Sequence, residues 1–288
     1  MGEIVGSALV AHVPPLVLPK DVRLERNYGR DFSIVDGLHR MRRECIDPLH
    51  ADTIVVLDTH WFTTFEWVVS AHERRAGKFT SEELPRGNPQ MPYDIVGDPQ
   101  LARLVEQVAA ERTDTWVHAN DDPYLPIRYA TVYLTPYLQR NEQWMSVSTC
   151  QTAEFADMVA FGEVLGEAIR RSDRRVVIVA SGALSHKFWP LSQLRQHEGA
   201  DPADVFSPEH RAADERVIKW LEAGDHAAVL ADYPDFRQYA PEGRFAHYVI
   251  MATASGGAAW DSPGVPYSDY ENAAGTGQIH LWFPATGS

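Results

Sequence analysis

Along most of this sequence, short runs rich in Val and Ile alternate with longer stretches whose apolar residues recur every three to four positions. The runs Val5–Ala11, Thr53–Leu57, Trp67–Ala71, Met145–Thr149 and Val176–Ala180 are short, apolar and bounded by polar or turn residues, so each reads as a strand. The stretches Ser33–Ile46, Pro99–Arg112, Ala153–Arg171 and Pro208–Ala223 read as amphipathic helices, the third closing on Arg170 and Arg171 and the fourth stopping at Gly224. Strand–helix alternation implies an α/β fold with a largely parallel central sheet flanked by helices. In such a sheet the ligand binds at the carboxyl ends of the strands, where loops converge on a rigid edge. No repeat, low-complexity block or linker divides the 288 residues, so we expect one domain spanning 1–288. The segments Gly77–Gly97, Ala119–Pro126 and Pro190–Pro208 read as long loops, and Ser255–Gly277 as a final tract rich in Gly, Ser and Pro.

Charge removes whole classes of function. Forty acidic residues against 26 basic ones give a formal charge of −14, which repels phosphate backbones and anionic membranes and leaves a small-molecule ligand as the expectation. Cys45 and Cys150 make neither a disulfide framework nor a CxxC zinc pair. The opening MGEIVGSALVAHVPP has no basic segment ahead of its brief apolar run, and no run reaches the roughly 18 residues a bilayer span needs. We expect a cytoplasmic protein.

The familiar catalytic motifs are missing: no phosphate-binding GxxxxGK loop, no GxGxxG after a strand, no HExxH and no GxSxG elbow. The 12 histidines carry more. His12, His60 and His186 each fall just past the carboxyl end of a different predicted strand. One histidine at a strand end is ordinarily a hydrogen-bonded packing residue. Three at the edge where ligands bind point to a metal, since imidazole is the commonest transition-metal ligand. Glu242, between Pro241 and Gly243 at the start of a helix running through FAHYVIMATA, suits the carboxylate of such a set, and equally suits a first-turn residue complementing the helix dipole. Two histidines and one carboxylate leave coordination positions open for Fe(II) and oxygen chemistry. His39, His50, His72, His197, His210 and His226 are expected at the surface, while spacing leaves His118 and His247 undecided.

These residues stand in stretches that resemble a known family. AHVPP with His12, DTHW with His60, SGALSH ending at His186, PEG with Glu242, and GTGQ resemble the class III extradiol ring-cleaving dioxygenases, the protocatechuate 4,5-dioxygenase-like enzymes. Within them ADTIVVLDTHW, FTSEELP, ASGALSHKF and GTGQ are most similar to the homoprotocatechuate (3,4-dihydroxyphenylacetate) 2,3-dioxygenase branch, in order over nearly the whole chain. The resemblance implies that His12, His60 and Glu242 hold one Fe(II). It implies that His186 is the acid–base residue and that His118 is a second active-site histidine. Several members carry Asp-His-Gly where this chain reads Arg128–Tyr129–Ala130, which makes Tyr129 a candidate substrate-contacting residue.

The activity implied is opening of a catechol-type ring beside its diol, using O2, in aromatic catabolism. A 2-aminophenol or dihydroxypyridine fits the same chemistry. A Zn-dependent hydrolase and a non-catalytic subunit remain alternatives on the same scaffold. Expected partners are the aromatic substrate and O2, with no nucleic acid and no membrane; a homo-oligomer is expected by resemblance alone. An anionic substrate would need local cations, for which Arg128, Lys187 and Arg244 are the sequence's candidates.

Overall fold

The computed structural model of the chain describes residues 1–285, so the last three positions of the expected domain lie outside the described residues. Along the chain the strands are β1 (Glu3–Val10), β2 (Thr53–Thr63), β3 (Trp67–Ser70), β4 (Arg74–Phe79), β5 (Met91–Val96) and β6 (Val117–Asn120). They continue with β7 (Gln143–Cys150), β8 (Arg175–Ser181), β9 (Val265–Pro266), β10 (Glu271–Ala273), β11 (Thr276–Gln278) and β12 (Leu281–Pro284). Eight of them form one sheet in the order β6-β3-β7-β2-β8-β1-β12-β9. Its centre, β7-β2-β8-β1, is parallel throughout. The β3, β12 and β9 pairings are antiparallel to their inner neighbours. The fold is a single α/β domain with a mostly parallel sheet between helical layers.

Burial explains why the central strands were legible. From Val176 to Ser181 and from Trp144 to Cys150 every residue is buried, because helices cover both faces and neither face needs polar side chains. On one face the helices Pro99–Ala110, Phe155–Arg171, Pro208–Glu222 and Ala246–Ala254 close a core around Val55, Met145, Phe161 and Ile178. On the other, helix Ser33–Met41, the segment 129–138 and the β4–β5 hairpin close a second core around Ile54, Trp144 and Val177. The helix starts carry ordinary side-chain caps: Asp98 accepts from the Leu101 amide and Ser207 from the His210 amide.

Several expectations need correction. The expected helix Ser33–Ile46 is α-helical only to Met41 and continues as a π-turn over Arg42–Ile46. The stretch Gly77–Gly97 is not an unbroken loop but holds most of the β4–β5 hairpin. The Ser255–Gly277 tract supplies β9, β10 and part of β11. Three histidines assigned to the surface are buried. His226 is fully enclosed, stacked 3.8 Å from the Trp260 ring with its two nitrogens on the Tyr248 hydroxyl and the Ser262 carbonyl. His72 and His210 are also buried, packed against Asp122 and Tyr239. No helix among the described residues is long and apolar enough to cross a membrane.

Candidate metal centre and active-site cavity

His12, His60 and Glu242 come together although 230 residues of sequence separate the first from the last. Their ligand atoms all lie within 4.8 Å of one another. Each arrives by a different local device. His12 is two residues past β1, where Pro14–Pro15 turn the chain into a single helical turn. His60 lies inside β2, not past its end as the sequence suggests. β2 advances from Leu57 to Phe62 while its partner β7 advances only from Val147 to Thr149, and the bulge turns His60 toward β1. Buried Asp58 pins that bulge, accepting from the His60 amide at 2.9 Å and from the Thr131 amide and hydroxyl at 3.0 and 2.7 Å.

Glu242 is brought in by pairing rather than by a strand. The amide of Glu242 donates to the Leu184 carbonyl and that of His186 to the Ala240 carbonyl, tying the PEG turn to the segment after β8. Gly243, Arg244 and Phe245 all take positive φ, 54°, 60° and 65°, before the helix Ala246–Ala254 begins. Left-handed conformations at Arg244 and Phe245 cost energy and persist only where the surroundings over-determine them. A Cβ at Gly243 would sit 2.8 Å from Thr59 Cγ2, so glycine there lets the turn close onto Thr59.

Hydrogen bonds fix the direction in which each ligand points. Ser181 donates its hydroxyl to the Ala130 carbonyl, so it can only accept from His12 Nδ1, at 3.0 Å. That puts a proton on His12 Nδ1 and turns Nε2 toward Glu242 Oε1, 3.1 Å away. Glu242 is held by the Thr59 hydroxyl at 2.7 Å and by the Ala183 amide at 2.6 Å. His60 Nε2 lies 2.9 Å from the same Oε1, and its Nδ1 faces Glu83 at 3.4 Å. Tyr129 Oη bonds to His60 Nε2 and donates to Glu83.

The donor set asks for a cation. A carboxylate oxygen 3.1 Å from His12 Nε2 and 2.9 Å from His60 Nε2 needs positive charge beside it, supplied by a proton or by a metal ion. Burial by itself would raise Glu242, but the histidines facing it hold its carboxyl well below the usual carboxylate range. Burial opposes charge on His60, yet Glu242 and Glu83 outweigh it and push that imidazole up to about 10. A divalent ion satisfies the same field through the same atoms. The residues present fit a metal, and two histidines with one carboxylate leave positions free for other ligands.

Over this cluster opens a cavity of about 410 Å³. Its walls are largely apolar, with Val13, Pro14, Leu18, Phe32, Leu84 and Phe188 among them. His186 lines it, Nε2 4.0 Å from Glu242 Oε2. Burial lowers the His186 pKa and the Glu242 charge only partly offsets this, so the imidazole is neutral and can accept a proton. Burial, reinforced by Glu242 and Glu83, raises the Tyr129 phenol far above its ordinary value, so it serves as a donor and not as a base.

The structure does not gather every candidate. His118 sits on the edge strand β6, half-exposed, with Nδ1 3.3 Å from Glu106, and does not line the cavity. The expected second active-site histidine therefore lies three strands from β2. Nor do the expected cations reach the cavity lining: Arg128 pairs with Glu82, Arg244 with Glu154, and Lys187 lies over the Phe206 ring. His247 is buried behind the cluster, against Gly182. Sequence reasoning did not single out Thr59, Ser181, Glu83 or Arg26. Thr59, Ser181 and Glu83 stand inside the quoted stretches DTHW, SGALSH and FTSEELP without being picked out of them; Arg26 carries no signal, because only tertiary folding aims its helix at the cavity.

Fold and site together define an aromatic ring-opening dioxygenase of the extradiol class, and the comparisons agree. The chain belongs to the family described as the catalytic LigB subunit of aromatic ring-opening dioxygenase, which it matches over residues 6–277. It is 29% identical over 243 residues to 3,4-dihydroxyphenylacetate 2,3-dioxygenase of Escherichia coli, covering 83% of this chain and 85% of that protein. Among solved structures it resembles the uncharacterized protein JW3007 of Escherichia coli K12, with a TM-score of 0.66 at 14% identity over 97% of this chain and 99% of that one. That last likeness is one of fold alone.

Proposed function

We propose that this enzyme opens the ring of a substituted catechol beside its diol, using one Fe(II) held by His12, His60 and Glu242. The observation that carries the reading is the convergence of the three ligand atoms beneath an apolar cavity that also presents neutral His186. The E. coli relative is named for 3,4-dihydroxyphenylacetate, a catechol with a short acidic side chain, and a compound of that kind is the substrate we assign. A reducing cytoplasm suits a ferrous enzyme whose Cys45 and Cys150 are both free thiols.

Ferrous iron, when bound, would gather the diol and O2 on one ion and let electrons pass between them, replacing a three-body encounter with reaction inside one complex. The chain's residues do the rest. Neutral His186 Nε2 accepts a proton from a substrate hydroxyl as the diol enters. Adding both oxygen atoms of O2 to a catechol consumes no net proton, so His186 must give that proton back as the ring opens, which makes it base and then acid in one turnover. Tyr129, its phenol held protonated, packs 4.0 Å from the His60 ring and lines the cavity, where it is a proton donor and not a base. The apolar walls keep bulk water off the reacting atoms.

Oxygen uptake by protein loaded anaerobically with Fe(II) tests the reading. The panel comprises 3,4-dihydroxyphenylacetate, protocatechuate, catechol, a dihydroxypyridine and 2-aminophenol. We expect uptake stoichiometric with a coloured ring-opened product from at least one catechol, and none when Zn(II) replaces iron. Bound iron with no uptake on any diol would overturn the catechol reading; activity with Zn(II) and no O2 would replace it with a hydrolase.

A further inference from the structure

The cavity lining holds three glutamates and two histidines, and Arg26 is the only Lys or Arg among the described residues there. It ends the helix Lys20–Arg26, a segment too short to show a clear apolar period in the sequence. Its guanidinium faces Glu198 at 3.7 Å, too far for a hydrogen bond, and the two side chains are 43% and 31% exposed. So loose an exposed pair adds little to stability and leaves the planar fork of donors free. Arg26 and Glu198 also line an adjoining surface cleft together with Arg195 and Tyr28. The pair therefore stands where the cavity meets the outside.

We propose that Arg26 is the specificity-determining residue of this site, reading a carboxylate on the side chain of the catechol. A substrate whose diol faces His12, His60 and Glu242 lays its ring and substituent along Val13, Leu18 and Phe32 and carries its far end to the mouth. The cavity is roomier than a bare six-membered ring requires. An anion entering a chain of net charge −14, past Glu83 and Glu198, needs a compensating cation, and the cavity offers one. A guanidinium meets a carboxylate with two parallel hydrogen bonds, which a lysine or an amide cannot reproduce. Glu198, loosely paired with the fork at the mouth, gives way to the substrate carboxylate.

This inference rests on the ring-cleavage function proposed for the site, and the experiment separates the two. kcat/KM is measured for 3,4-dihydroxyphenylacetate and for 4-methylcatechol with iron-loaded wild type, Arg26→Gln and Arg26→Lys, and the anaerobic Kd of each catechol is measured beside it. The wild type should prefer the acid. Arg26→Gln should cut the ratio of the two kcat/KM values by about ten- to a hundredfold, through KM and Kd, as loss of a charge-assisted hydrogen-bonded pair does. Arg26→Lys should restore part of it. A ratio that changes by less than about twofold in Arg26→Gln, or a wild type indifferent to the carboxylate, overturns the assignment of Arg26 while leaving ring cleavage intact. Turnover of neither catechol by the iron-loaded wild type overturns the ring-cleavage function and this inference with it.

Discussion

On the proposed function His12, His60 and Glu242 hold a metal and His186 moves a proton, and substitution separates the two tasks. His12 and His60 contribute one ligand atom each, so His12→Ala or His60→Ala removes a third of the protein's donor set. Such protein should fold and lose stoichiometric iron after gel filtration, since Ser181, Thr59 and Asp58 still satisfy the surrounding backbone. His186→Ala should keep iron and lose about 10²–10⁴ in kcat, the range of general acid–base assistance. Metal analysis and steady-state rates on the same preparations check both. Full iron in the ligand variants, or an unchanged rate in His186→Ala, would break the assignment. At this scale the sequence was legible where neighbours mark a residue out: DTHW and SGALSH single out His60 and His186, both of which reach Glu242, though His60 does so from within β2. It was silent on His280, whose ring accepts from the Ala11 amide and donates to the Ile34 carbonyl, bracing the residue next to His12. Nothing local marks a buried histidine whose partners are backbone atoms 246 and 269 positions away.

Elements decide how precisely those side chains are aimed. The segment ending at His186 is anchored from behind by Asp214, on the helix Pro208–Glu222. Its carboxylate is fully buried and accepts from the Ser185 amide at 2.9 Å, the Ser185 hydroxyl at 2.7 Å and the Tyr270 hydroxyl at 2.6 Å. A Cβ at Gly277 would meet Asp214 Oδ2 at 2.0 Å, so the GTGQ strand β11 is glycine where it passes this carboxylate. Burial pushes the Asp214 carboxyl up to about 6, only partly restrained by those hydrogen bonds. A carboxyl raised from 3.8 in the unfolded chain favours the protonated native state. Stability therefore falls as pH rises from about 4 to 6 and stays at the lower level above. Asp214→Asn cannot ionise and should lack this slope. Relative to wild type it should gain up to about 3 kcal/mol between pH 4 and 6, read as the difference between their denaturation midpoints at each pH. A constant difference across that window would show that Asp214 titrates normally. The helices and central strands around this anchor could be read from periodicity. The β4–β5 hairpin could not, because β4 is exposed along most of its length and so lacks the apolar alternation that marks a half-buried strand.

At the scale of the whole molecule, the sheet makes one reactive edge out of distant sequence. β1, β2 and β8 lie side by side in the order β2-β8-β1, so the segment after β1 and the turn after β8 line one cavity while the bulge within β2 brings His60 to Glu242 beneath it. The alternation of apolar runs and amphipathic stretches was enough to foresee that edge, since two-sided burial leaves a compositional trace in every central strand. It was not enough to foresee the cavity's charge. Arg128, Lys187 and Arg244 are close in sequence to site residues yet turn to Glu82, Phe206 and Glu154, while Arg26, remote from every motif, lines the cavity. His118 shows the same limit in reverse, a residue the resemblance expects in the site whose strand runs at the sheet edge.

The central claim is that three protein ligands and one neutral histidine open a catechol beside its diol with both atoms of O2. Turnover of 3,4-dihydroxyphenylacetate under ¹⁸O2, with mass analysis of the product, tests it most directly. The account predicts a single ring-opened semialdehyde carrying both labelled oxygens, one in the new carboxylate and one in the aldehyde before exchange with water. A dicarboxylate from cleavage between the hydroxyls, or a product without label, would contradict it.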